Sequence, residues 1–164
     1  MSIISLISQC IIKMGGIDTA DSYPEERPQK QQKQQKCKFN PKTIGATIRN
    51  FVNVKRDSED ALQVAVATKG PVSIEFNASL ESFQFYQSGV YDDPACSASL
   101  IDHAATIVGY GIVDNIGHIG QQRLQYWKVK NSWGSNWGEQ GYIRMSRNKQ
   151  NQCGIASIAS YPLV

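Results

Sequence analysis

Polar and apolar residues recur with helical spacing at the start of the chain. Ser2, Ser5 and Ser8 stand three residues apart, and apolar residues fill most positions between them. Such spacing is typical of an amphipathic helix, and the Gly15-Gly16 pair marks its end. The apolar stripe of this predicted helix consists of Ile3, Ile4, Leu6, Ile7, Cys10, Ile11 and Met14.

The middle of the chain contains a second helix signal between two strand signals. β-Branched residues are frequent over residues 44–54, which predicts a strand. The segment that follows has Asp57 or Ser58 as a possible N-cap and ends at Gly70-Pro71, which predicts a short helix. Beyond it, apolar residues alternate with polar ones, as in a half-buried strand: Val72, Ile74 and Phe76.

From residue 100 onward the sequence is rich in strand signals separated by Gly and Asn turns. The strand-like segments are LIDHAATIVGYGIV, RLQYWKVKNSW, GYIRMSR and GIASIASYPLV. They do not alternate with helices, so the pattern disfavours a parallel sheet of βαβ units. Early helices followed by several late strands predict an α+β fold with an antiparallel sheet or barrel.

Charge is concentrated in one segment of this 164-residue chain. The formal net charge is +3, and five basic against two acidic residues between Glu25 and Lys38 give the same excess. This Gln/Lys-rich segment has little apolar surface to bury, so we expect a solvated, flexible loop. It lacks aromatic residues and a basic helix face, which disfavours nucleic-acid and membrane partners. No apolar run approaches the ~18 residues that a membrane span requires.

The four cysteines do not have the spacing of a metal site. Cys10, Cys37, Cys96 and Cys153 form no C-x-x-C pair and have no His at ligand spacing. Their even number is compatible with one or two disulfides. The first residues lack a basic start and a cleavage site, so we predict no signal peptide and assign no compartment.

Two positions are candidates for catalysis when they are considered together. His103 follows Asp102 at the head of a predicted strand, and Asn131 precedes the turn that contains Trp133. Each alone is more typical of packing or turn chemistry. A nucleophilic thiolate, however, needs an imidazole to take its proton, and that imidazole needs a third group to orient it.

Seven segments carry a resemblance that includes both positions. They are GIDTADSYP, CKFNP, KGPVSIEFNA, ESFQFYQSGVY, DHAATIVGYG, KNSWGSNWGEQGYIRM and CGIASIASYPLV. In this order, residues 16–164 resemble the C-terminal part of a papain-like cysteine protease of the cathepsin L group. The resemblance implies an incomplete papain-like fold. Residues 1–50, with the loop at 25–38, would be a remnant of the helical domain, and residues 51–164 would form an antiparallel β-barrel domain with a C-terminal return segment.

The resemblance also implies a role for each matching residue. His103 would be the general base and acid, Asn131 would orient it, Trp133 would cover their hydrogen bond, and Asp102 would be a supporting residue. A pocket for an apolar substrate side chain would be lined by Ala78, Ile101, Ala104 and Ile158. Cys96 and Cys153 would form a disulfide. Catalysis by this family needs no metal or cofactor, and its substrates are peptides or proteins.

One part of the family pattern has no counterpart in the sequence. The nucleophilic Cys of such enzymes lies in a C-G-S-C-W segment, about 130–150 residues before the His and Asn, and the chain has no such segment. Cys10, on the apolar stripe, is expected to be buried and unreactive. We therefore expect a truncated endopeptidase that is inactive alone and has the missing N-terminal half as its partner. The alternative is a non-catalytic homologue that binds peptides or a partner. The family implies a lysosomal or extracellular location.

Overall fold

The computed structural model describes residues 2–24, 36–115 and 122–164. Most of the predicted Gln/Lys-rich loop therefore lies outside the described residues. The chain divides into two compact units. One comprises Met1–Phe51 with Pro162–Val164, and the other comprises Val52–Tyr161.

The first unit begins with helix α1, Ile3–Met14, as predicted. The Ser2 side chain caps it by accepting a hydrogen bond from the Ser5 backbone N–H, and Gly15 ends it in the left-handed conformation with φ 82°. A short antiparallel pair follows, made of β1, Ile17–Asp18, and β2, Ile44–Ala46.

The orientation of α1 differs from what the stripe alone would suggest. Ile4 and Ser5 are buried, whereas Ile3, Leu6 and Ile7 are 64%, 48% and 53% exposed. Cys10 is also exposed, so the expectation that it is buried was wrong. A hydrophobic period shows which residues share a helix face but does not show whether another element covers that face.

The predicted strand over residues 44–54 is two strands in two different sheets. β2 pairs with β1, while β3, Asn50–Asn53, belongs to the large sheet. Between them the chain leaves the β2 pairing, and the Arg49 backbone N–H donates to the Leu163 carbonyl. The β-branched residues continue across this point, because strand propensity does not depend on which partner strand a segment pairs with. The sequence pattern therefore could not separate the two strands.

The second unit contains helix α2, Glu59–Lys69. The Ser58 side chain caps it by accepting a hydrogen bond from the Ala61 backbone N–H, and Ser58 is one of the two residues predicted as a possible N-cap. The elements that follow α2 are β4, Val72–Phe76; α3, Glu81–Gln84; β5, Val90–Tyr91; β6, His103–Asn115; β7, Gln122–Lys130; β8, Tyr142–Ser146; a 3₁₀ turn, Gln152–Gly154; and β9, Ile158–Leu163. The late strands were predicted, but the short elements α3 and β5 were not.

The seven strands of the large sheet have the order β3-β9-β4-β6-β7-β8-β5. The β4–β6, β4–β9, β6–β7 and β7–β8 pairs are antiparallel, and β5 runs parallel to β8. The apolar positions of β4, at Val72, Ile74 and Phe76, are fully buried with Leu62 of α2. The α+β prediction is confirmed.

Among the described residues, no helix is long and apolar enough to cross a membrane.

Candidate active site

The two candidate catalytic residues lie at adjacent strand ends. His103 is the first residue of β6, and Asn131 directly follows the last residue of β7. β6 and β7 pair in a register that places Thr106 opposite Lys130, which brings the two side chains together. The His103 Nε2 and Asn131 Oδ1 atoms are 2.8 Å apart.

A second contact defines the orientation of the Asn131 amide. Its Oδ1 accepts a hydrogen bond of 2.8 Å from the Ser132 backbone N–H, which is always a donor. Because Oδ1 is therefore an acceptor toward His103 as well, Nε2 of the neutral ring carries the hydrogen. This assignment leaves Nδ1 as the nitrogen that can take a proton.

Asn131 is buried, and its Nδ2 has no hydrogen-bond partner among the described residues. Burial shields the Oδ1 contact from competing water, which strengthens it relative to an exposed pair. The Asn131 amide therefore presents its oxygen to His103 Nε2 from a buried position.

Aromatic rings surround the imidazole. The Trp133 ring lies 5.1 Å from the His103 ring, centroid to centroid, and is 42% exposed. Phe76, on the paired strand β4, contacts His103 edge-on at 5.4 Å. Phe83 is fully buried and contacts both His103 and Trp133, at 6.4 and 5.6 Å. The sequence did not predict Phe83 as a site residue, because α3 has only four residues and shows no hydrophobic period.

The turn that carries Trp133 is held by an ion pair. The Arg144 Nε donates to Glu139 Oε2 at 2.9 Å, and the Gly89 N–H donates to Glu139 Oε1 at 3.0 Å. Desolvation by burial raises the pKa of Glu139, but the hydrogen bonds from Arg144 and Gly89 outweigh it and lower the pKa below its usual value of 4.5. Hydrogen bonding to Glu139 also raises the pKa of Arg144.

This ion pair predicts a pH-dependent contribution to stability. A carboxyl group whose pKa is lowered in the folded state stabilises that state above its unfolded pKa, and the contribution is lost as the pH falls through the folded pKa. Glu139→Gln is expected to reduce the free energy of unfolding by about 1 kcal/mol at pH 7. In urea titrations the difference should shrink steadily below pH 4.5. Glu81→Gln, at an exposed acid, is the matched control, and an equal loss at all pH values would contradict the prediction.

The Asp102 carboxylate accepts hydrogen bonds from the loop that follows β4. Its Oδ1 accepts from the Ala78 N–H at 2.8 Å and its Oδ2 accepts from Asn77 Nδ2 at 3.3 Å. Asn77 is itself almost fully buried, and its N–H donates to the Cys153 carbonyl. Asp102 thus positions the loop that lies beside His103.

A cavity of about 500 Å³ lies in front of the imidazole. Its walls are Ala78, Ser79, Gln84, Asp102, His103 and Trp133. Of the four residues expected to line a substrate pocket, only Ala78 is among these. Ile101 lines a separate cavity of about 960 Å³ near the start of α2. Ala104 of β6 and Ile158 of β9 lie on the two strands that flank β4, and each is opposite Glu75 of β4.

The cysteines separate into one buried pair and two exposed thiols. Cys96 and Cys153 form a disulfide, and both are buried. Cys10 and Cys37 are free. Within the described ranges no group of three or more His, Cys, Asp or Glu side chains is placed to hold a metal ion.

Known sequences resemble this chain over nearly its whole length. A family model for "Papain family cysteine protease" matches residues 4–163. A cathepsin L-like peptidase of Aedes aegypti is 49% identical over 156 residues, which is 95% of this chain and 42% of the relative. Cathepsin L1 of Drosophila melanogaster is 51% identical over 92% of this chain and 37% of its own length. The chain therefore spans about two fifths of the length of these curated relatives.

Solved structures show the same similarity. Digestive procathepsin L2 from the larval midgut of Tenebrio molitor superposes with a TM-score of 0.84 at 36% identity, over 99% of this chain and 47% of that one. Bromelain from Ananas comosus, in complex with the E64 inhibitor, superposes with a TM-score of 0.75 at 35% identity, over 95% of this chain and 66% of that one.

Proposed function

Because the chain belongs to the papain family of cysteine proteases, with cathepsin L-like relatives, we propose that it supplies the acid–base half of a peptide-hydrolysing active site. The observation that carries the proposal is the 2.8 Å contact between His103 Nε2 and Asn131 Oδ1. It leaves Nδ1 as the proton acceptor, which is the role that a Cys-His-Asn triad requires.

In the proposed mechanism, His103 Nδ1 takes the proton of a cysteine thiol. The resulting thiolate attacks the peptide carbonyl, and the imidazolium returns the proton to the leaving amine. Water then hydrolyses the acyl-thioenzyme, with His103 again acting as base. Asn131 stabilises the imidazolium, and the Trp133 ring limits access of water to the hydrogen bond between them.

We propose that the nucleophile of this mechanism is not among the cysteines of the chain. Cys96 and Cys153 are bound to each other, so neither has a thiol to deprotonate. Cys10 and Cys37 are exposed and lie outside the seven-stranded sheet that carries His103. We therefore propose that the chain alone is inactive and that its partner is the N-terminal half of a complete protease. In that proposal residues 1–50 are the helical-domain remnant, residues 51–164 are the barrel domain, and the substrate is a peptide or protein.

The test is reconstitution. The chain alone is expected to show no turnover of an apolar-Arg fluorogenic peptide under reducing, mildly acidic conditions. An N-terminal fragment of a cathepsin L-like relative that carries the C-G-S-C-W segment is expected to restore activity. The same fragment with its nucleophilic Cys replaced by Ala is the matched control. Turnover by the chain alone that is abolished by Cys10→Ala or Cys37→Ala would contradict the proposal.

The exposed face of α1 favours a second candidate function. Ile3, Leu6 and Ile7 present apolar side chains to solvent, and such a patch is typical of a docking surface. A non-catalytic homologue that binds a partner or peptides would use the same surface. This second function gains support if the isolated chain melts cooperatively and does not respond to the fragment.

A further inference from the structure

Glu75 is a buried acid on the strand next to His103. It is the fourth residue of β4 and is 8% exposed. Its strand neighbours Ile74 and Phe76 point into the core, so alternation directs Glu75 to the opposite face of the sheet. A carboxylate is rarely buried without a specific reason, because desolvation disfavours its charged form.

The strand register places an apolar residue opposite Glu75 on each of the two neighbouring strands. It lies directly opposite Ala104 on β6 and opposite Ile158 on β9. Directly paired residues in antiparallel strands project to the same face, with Cβ atoms about 5 Å apart. The family resemblance assigns Ala104 and Ile158 to the substrate pocket, although neither lines the cavity in front of His103. If the two residues are pocket walls, Glu75 lies between them.

The position of this face relative to His103 follows from the same register. His103 is paired with Phe76, and its ring contacts that residue at 5.4 Å. Ala104, the next residue of β6, faces Glu75. The imidazole and the acid are therefore one residue apart along the β4–β6 ladder, on opposite faces of it.

We infer that Glu75 makes the substrate pocket selective for a basic side chain. The inference rests on the proposed function, because it takes Ala104 and Ile158 to be pocket walls. Apolar walls receive the methylene groups of Arg or Lys, and the carboxylate between them pairs with the cation at the end. The planar guanidinium of Arg matches a carboxylate in two parallel hydrogen bonds, so Arg is preferred over Lys. Glu75 already has an interaction in the folded chain, with which the entering cation competes.

Peptide binding to the 164-residue chain tests the inference without any turnover. Short peptides carry Arg, its neutral isostere citrulline or Leu at each position in turn, and binding is measured by calorimetry. At one position the Arg peptide is expected to bind roughly tenfold more tightly than the citrulline peptide. In Glu75→Gln this ratio is expected to fall to about one, while Asp114→Asn, at an exposed acid of β6, leaves it unchanged.

Each outcome decides the inference. An Arg-to-citrulline ratio of one at every position in the unsubstituted chain overturns it, even if Glu75→Gln fails to fold. A ratio that survives Glu75→Gln in a folded variant also overturns it. In the reconstituted protease, turnover without a preference for Arg contradicts the inference and leaves the proposed function standing. Absence of turnover with a binding ratio that depends on Glu75 contradicts the proposed function and supports the inference.

Discussion

Replacing His103 by alanine in the reconstituted protease is expected to lower kcat on the order of 10⁵-fold. His103 is proposed both to create the thiolate and to protonate the leaving amine, so its removal disables two steps of one cycle. KM should change little, because the ring takes part in proton transfer and contributes little to the binding of substrate. Kinetics on a fluorogenic peptide, with folding checked by circular dichroism, provide the measurement.

Asn131→Ala in the same protease separates orientation from proton transfer. It should reduce kcat less than His103→Ala does, because the base remains while its tautomer and orientation are no longer imposed. Asn53→Ala, at an exposed asparagine of β3, is the matched control. If His103→Ala retained more than about a hundredth of the activity, the acid–base role of His103 would be refuted.

Loss of the Cys96–Cys153 disulfide is expected to cost about 4 kcal/mol of the free energy of unfolding. The bond joins residues 57 positions apart, and closing a loop of that length restricts the unfolded chain by this amount in the chain-entropy model. The bond also anchors the loop beside His103, because the Asn77 N–H donates to the Cys153 carbonyl. Urea titrations of a Cys96→Ser, Cys153→Ser double variant measure the cost.

The exposed free thiols provide the control for the disulfide. Cys10→Ser and Cys37→Ser should leave the urea midpoint within experimental error, since neither residue is cross-linked or buried. Peptide mapping of the oxidised chain should recover Cys96 joined to Cys153. A chain that contains Cys96 joined to Cys37, or a double variant as stable as the parent, would disprove the expected contribution.

Local sequence signals determined the features whose causes lie within a few residues. The Gly15-Gly16 pair predicted the end of α1, Asp57 or Ser58 was the predicted cap of α2, and the alternation at Val72, Ile74 and Phe76 predicted β4. Caps and alternation depend on backbone geometry that neighbouring residues impose, so they can be identified without the rest of the chain. The family motifs likewise identified His103 and Asn131 as candidates.

Tertiary structure alone decided which faces are covered and which distant residues meet. The exposure of Ile3, Leu6 and Ile7, the division of residues 44–54 between two sheets and the burial of Glu75 each depend on partners far away in sequence. The β6–β7 register placed Asn131 Oδ1 within 2.8 Å of His103 Nε2, although the two residues are 28 positions apart in the sequence. Hydrophobic periodicity specifies the direction of a side chain on its own element. Burial and hydrogen bonding also require the element opposite, and strand pairing supplies that element.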